Sequence, residues 1–227
     1  EYLFKVSEES RISLSNNDSG ADNTVFGFLA GASLGSGNDR NVLIGDYAGT
    51  NVEADSNVMI GRAVGDAITS GAQNILIGDS ALGTATTATE NVAIGGDAMS
   101  LVQAGQAITG VIAIGHGAIK GGSTTTAIDG AVGIGYSALN VLTSGSGATA
   151  VGHKSLNALV GGGGNTAMGY NSGLFLQSGS NSTFIGNLAG QGVTEAKLSG
   201  NSNTAIGQKS GLLLQGGADG NTLVGRK

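Results

Sequence analysis

The chain of 227 residues contains no cysteine, no proline and no tryptophan. Without cysteine it has no disulfide, no thiol nucleophile and no cysteine-based metal site. Without proline every backbone N–H is free to donate, as a stack of paired strands requires; a single proline would delete a ladder bond. Charged residues are scarce at 11 % and aromatic ones at 4 %. The net charge of −6 argues against a nucleic-acid partner held through a basic face. No apolar run has the length of a membrane span, so no membrane insertion by this segment is expected. No Gly-Lys-Ser/Thr occurs and no Gly-x-Gly-x-x-Gly is completed, which removes nucleotide-loop readings. Glycine, in contrast, is abundant at 43 residues, without the Gly-X-Y period of collagen.

The glycines mark a repeat. Asn41-Val42-Leu43-Ile44-Gly45 recurs as Asn57-Val58-Met59-Ile60-Gly61, Asn74-Ile75-Leu76-Ile77-Gly78 and Asn91-Val92-Ala93-Ile94-Gly95. Twelve copies end on Gly27, Gly45, Gly61, Gly78, Gly95, Gly115, Gly135, Gly152, Gly169, Gly186, Gly207 and Gly225, at a mean period of 18 and intervals of 16 to 21 residues. Self-similarity at such a period is the signature of a solenoid.

Position by position, the repeat reads as a strand and a turn. The residue before the glycine is always apolar, from Phe26 and Ile44 to Val224. The residue three before it is always β-branched, from Thr24 and Val42 to Thr222, as a pleated strand prefers. These two columns share a strand face, and the column between them, Val25, Leu43, Met59 and onward to Leu223, points the other way. That middle column is never charged, so both faces are expected to be covered. The flanking columns are assigned to the chain's own core, and the middle column to the surface sealed by sister chains. The motif glycine is expected to take a positive φ or to permit close chain approach. Asn opens eight motifs and is expected to stack as an amide ladder, interrupted where Val111, Ala131 and Ala148 replace it.

The expected architecture is an all-β parallel solenoid of about twelve coils over residues 23–227, each coil with two short strands and two turns. At roughly 4.8 Å per strand step the rod is about 55 Å long. Residues 1–22 lie outside the repeat. There Tyr2, Phe4 and Val6 alternate with Leu3, Lys5 and Ser7, and the segment is expected to be an N-terminal cap or a junction to an upstream domain. The chain begins at Glu1 and ends directly after the twelfth motif. It is therefore expected to be a fragment or processed product that continues beyond 227.

The motifs Asn91 to Gly95 and Asn203 to Gly207 resemble the YadA-like head repeat of trimeric autotransporter adhesins and the related repeats of bacteriophage tail fibres. The resemblance covers residues 23 to 227. It implies a left-handed parallel β-roll and a homotrimer of side-by-side chains. The adhesin heads use tighter, more uniform coils, so the longer and uneven period here favours the phage fibre.

The expected function is thus a structural and adhesive fibre segment of a virion that presents a surface to a host receptor, either a cell-surface glycan or a protein. The alternative is the head of a bacterial trimeric autotransporter adhesin. Either places the chain on a virion surface or outside a cell. No catalytic residue, metal or cofactor is expected. Gly78-Asp79-Ser80-Ala81-Leu82 begins like a nucleophile elbow but is the repeat in register, and Asp46, Asp79 and Asp97 fall on different coils. A third reading, an ice-binding solenoid, is suggested by the column Thr149, Thr166, Thr183, Thr204 and Thr222. It is set aside because Val and Ile fill that column in coils two to seven, which makes it interior.

One column stands out as a recognition candidate. The residue after the glycine is chemically mixed, as an exposed position is, and four successive coils place His116, Tyr136, His153 and Tyr170 there. Aromatic bodies with polar tips serve binding surfaces. The twelve motif glycines are the structural counterpart.

Overall fold

The computed structural model describes residues 22–122 and 125–227. Except for Asp22, the expected N-terminal cap lies outside the described residues. Twelve three-residue strands run from β1 (Thr24–Phe26) and β2 (Val42–Ile44) to β12 (Thr222–Val224), each on the three residues before a motif glycine. They form one sheet in chain order, every neighbouring pair parallel and in register, with Val42 beside Val58 and Ile44 beside Ile60. The chain is a β-solenoid of twelve coils. The second strand expected in each coil is reduced, among the described residues, to four isolated parallel bridges such as Thr89 with Thr109. The segments there vary in length and are rich in small polar residues, so they pair at single points.

Register is held at the glycines. All twelve adopt φ between +116° and +143°. In coil six, a Cβ built on Gly115 would meet the carbonyl oxygen of Gly135 at 2.6 Å, and in coil nine one on Gly169 would meet that of Gly186 at 2.6 Å. Positive φ and close approach therefore both require glycine here. Every rung also contributes bonds in both directions: Val58 N–H donates to Asn74 O at 2.8 Å, and Gly61 N–H to Ile44 O at 2.8 Å.

The strand faces are inverted relative to the sequence expectation. The middle column is the chain's own core: Leu43, Met59, Leu76, Ala93, Ala113, Ala150, Ala167, Phe184 and Ala205 are fully buried. The flanking apolar and β-branched columns form the outer face of the sheet and are half-buried or exposed. Volume explains the assignment. The middle column ranges from Gly133 to Phe184 because it fills a closed interior against the fourth residue after the motif glycine, from the preceding coil and from its own. Where that residue is glycine the next strand is large in five of six coils: Gly31 precedes Leu43, Gly49 precedes Met59, Gly65 precedes Leu76, Gly173 precedes Phe184 and Gly211 precedes Leu223. The sixth, Gly190, precedes Ala205 and instead makes room for Phe184 of its own coil, whose ring an added Cβ would overlap. A Cβ on Gly65 would lie 2.8 Å from Leu76 Cδ1. Where it is large, as at Leu82, Met99, Ile119, Leu139 and Leu156, the next strand supplies Ala93, Ala113, Gly133, Ala150 and Ala167. Ile119 holds this place at φ 44°, a left-handed conformation that is unfavourable for a β-branched residue.

The amide ladder is present. Asn57 N–H donates to Asn41 Oδ1 at 3.0 Å, Asn74 N–H to Asn57 Oδ1 at 3.0 Å and Asn91 N–H to Asn74 Oδ1 at 3.1 Å, all buried. Each amide also crosses the coil: Asn74 Nδ2 donates to Ala88 O at 2.8 Å and Asn91 Nδ2 to Ile108 O at 3.0 Å. The ladder breaks at buried Val111, Ala131 and Ala148, as expected. It resumes at Asn165, whose Oδ1 accepts from Ser182 N–H at 2.9 Å.

The size match predicts a rescue. Gly133→Leu is expected to destabilise the rod by about 1–3 kcal/mol through overpacking against Ile119. Adding Ile119→Ala is expected to recover most of that loss. Urea unfolding of the single and double variants checks it; additive losses would contradict the match.

Candidate functional site

Because rungs repeat by translation, residues in one column repeat every strand spacing of roughly 4.8 Å. Planar side chains in a column are then stacked by the backbone. His116 and Tyr136 lie with ring centroids 5.7 Å apart at 12°, Tyr136 and His153 at 5.2 Å and 12°, and His153 and Tyr170 at 5.1 Å and 11°. The four residues picked out by sequence thus form one continuous ladder. Tyr136 and Tyr170 are about half exposed, at 49 % and 50 %.

This geometry changes what the ladder offers. Each internal ring spends its faces on its neighbours, within the range of favourable offset stacking. Ring edges remain, with the two tyrosines half exposed. Only the outer faces of His116 and Tyr170 end the stack. On the His116 side the next rung of the column is Gly96, where an added Cβ would sit 3.5 Å from His116 Cδ2. His153, the middle histidine, keeps a buried Nδ1 without a hydrogen-bond partner.

The same column carries charge nearer the N-terminus. A terminal nitrogen of Arg62 lies 2.9 Å from the carboxylate of Asp79, with both side chains exposed. The bonds from Arg62 and from the Ser80 hydroxyl hold the Asp79 carboxyl below the usual carboxylate range. Asp97, on the neighbouring column, pairs with Lys120 at 3.0 Å. Stacking thus brings residues of different coils side by side, and Asp79 and Asp97 are each taken up by a cation. Among the described residues no group of three or more His, Cys, Asp or Glu is placed to hold a metal.

The outer sheet face lies one glycine away from the ladder in sequence. Its apolar column includes Phe26 at 64 % exposure and Met168 at 51 %, with Ile185 and Ile206 also exposed. Threonines 149, 166, 183, 204 and 222 belong to this same outer face, so the threonine column is exterior, contrary to the expectation that set the ice-binding reading aside. Among the described residues no helix is long and apolar enough to cross a membrane. No family model matches the chain, and no curated protein or solved structure shows significant similarity to it.

Two outcomes are expected from this column. Gly96 has an ordinary φ and room for a side chain, so Gly96→Tyr should lengthen the ladder and add about 0.5–1.5 kcal/mol, read as a higher melting temperature and a stronger near-ultraviolet dichroism. The depressed carboxyl of Asp79 contributes stability above the ordinary carboxylate pKa, lost as pH falls through the lower folded value. Arg62→Gln should flatten that acid-side slope in a pH series of unfolding curves.

Proposed function

We propose that this chain is a rod-like structural and adhesive fibre segment. In this reading copies of the chain pack side by side through their outer sheet faces into a homotrimer of left-handed β-rolls, as the resemblance to the YadA-like head repeat and phage tail-fibre repeats implies. The setting is a virion fibre that presents a surface to a host glycan or protein, the alternative being the head of a bacterial autotransporter adhesin. The rod carries shape and contacts rather than catalysis.

One observation carries the proposal: an apolar sheet face repeats on rung after rung, half-buried or exposed among the described residues. A partly exposed apolar strip of that length marks an interaction surface. The occupant must offer an apolar group at every strand step along the whole rod. Another copy of the chain meets that condition by construction, and closed symmetry lets each copy cover its neighbour.

The same face supports a second reading, since five successive threonines stand in register on it, Thr149 to Thr204 half-buried and Thr222 exposed, and a regular row of hydroxyls is suited to ordering water. The two readings differ in what covers the face, and the association state decides between them.

In light scattering after size exclusion, the expected mass is three times the 22.1 kDa of the chain. Replacing Ile94 and Ile114 by lysine places charge on the face and is expected to release monomers that keep the β-rich circular dichroism of the wild type. A monodisperse wild-type monomer with thermal hysteresis would instead favour the ice-binding surface.

A further inference from the structure

The fifth residue after the motif glycine forms another column: Asp66, Gly83, Ser100 and Lys120 on coils three to six. Gly83 leaves one rung of this column without a side chain, and the missing volume opens a groove of about 300 Å³ on the flank of the rod. Asp66 leans over the gap, since a Cβ built on Gly83 would lie 3.8 Å from Asp66 Oδ1. The ion pair of Asp97 with Lys120 stands at 3.0 Å on another wall of the groove. Ser100 is only 6 % exposed, lines the groove, and its Oγ has no hydrogen-bond partner. Leu101, exposed, adds an apolar wall.

Two features of this groove are unexplained by folding. A buried hydroxyl without a partner costs free energy unless something else satisfies it. The Asp66 carboxylate meets no cation among the described residues, and burial pushes its pKa above the usual value against opposing bonds from its own and the Ala67 backbone N–H. Both point to a partner that supplies hydrogen-bond donors and acceptors together.

We infer that the groove binds an uncharged polyol, in the form of a pyranose unit of a glycan. Vicinal hydroxyls donate in pairs to a carboxylate such as Asp66 and accept from Lys120 and Ser100, while the C–H face of the ring rests on Leu101. An anion is disfavoured by two carboxylates against one ammonium. A divalent cation is disfavoured by Lys120, which already occupies Asp97. The groove is open and near the small end of ligand sites, which suits one unit of a longer saccharide. The inference rests on the adhesive part of the proposed function and gives it a ligand class, but it does not depend on how many copies assemble.

Saturation-transfer NMR of the full chain with the methyl glycosides of glucose, galactose, mannose and N-acetylglucosamine tests it. At least one is expected to bind with a millimolar dissociation constant. Asp66→Asn should weaken that binding about tenfold, as loss of a bond to a charged group does. Gly83→Leu should abolish it by filling the gap, while Glu195→Gln, exposed on a distant coil, should leave it unchanged. No transfer to any of the four sugars, transfer that survives Gly83→Leu, or calcium displacing the sugar would overturn the inference. Scattering mass and circular dichroism recorded on the same samples separate that failure from a failure of the rod to fold or assemble.

Discussion

The structure depends on one close approach: the backbone of each motif glycine against the carbonyl of the glycine one rung further on. A side chain at that point would occupy the place of the neighbouring carbonyl, and the φ of +116° to +143° is open to glycine and poorly to anything else. Eleven such contacts force adjacent rungs into the same register. Register then converts a one-dimensional repeat into columns, and the columns produce the buried amide ladder, the stacked rings, the cross-coil ion pairs and the outer apolar face. In a quasi-one-dimensional fold each coil touches chiefly its neighbours, so a local contact repeated is enough to set the whole shape.

Within that frame the interior is solved pairwise. Side chains of the middle strand column and of the position after the next turn share a fixed cross-section, and their sizes trade against each other from coil to coil. Ile119 shows the strength of this demand. It tolerates a left-handed backbone at φ 44°, and opposite it the strand gives up its side chain altogether at Gly133. The outer face obeys no such rule, and its residues are uniform in size: isoleucine and valine in most coils, with threonine on the second column from coil eight onward.

That contrast explains what could be read from the residues and what could not. Strand positions followed from the β-branched and apolar columns, and each of the twelve strands falls on the three residues before a glycine. The amide ladder and its interruption followed from the identity of the first motif residue. The direction of the faces did not, because apolarity alone says that both sides are covered and is silent on which side is the interior. Size variation was the missing signal, since only a closed core requires Phe184 and Gly133 to alternate with their opposite numbers. The aromatic column was visible in the sequence, but the consumption of ring faces by stacking required the rung geometry. The groove at Gly83 was overlooked because carboxylates on different coils were taken to be apart, whereas stacking makes residues a whole repeat apart in sequence into neighbours.

The size trade also runs in blocks. Coils one to three set glycine before a large strand residue, coils four to eight set a large residue before a small one, and coils nine to eleven return to glycine, before Phe184, Ala205 and Leu223. A shaft built this way can gain or lose length by copying or deleting whole units inside a block, because each new seam repeats one already present. Joining coil eight to coil ten, by contrast, would set Leu156 against Phe184 and overfill the interior. The interior therefore acts as a ruler with marked joints, along which the solenoid is free to grow in some places and fixed in others.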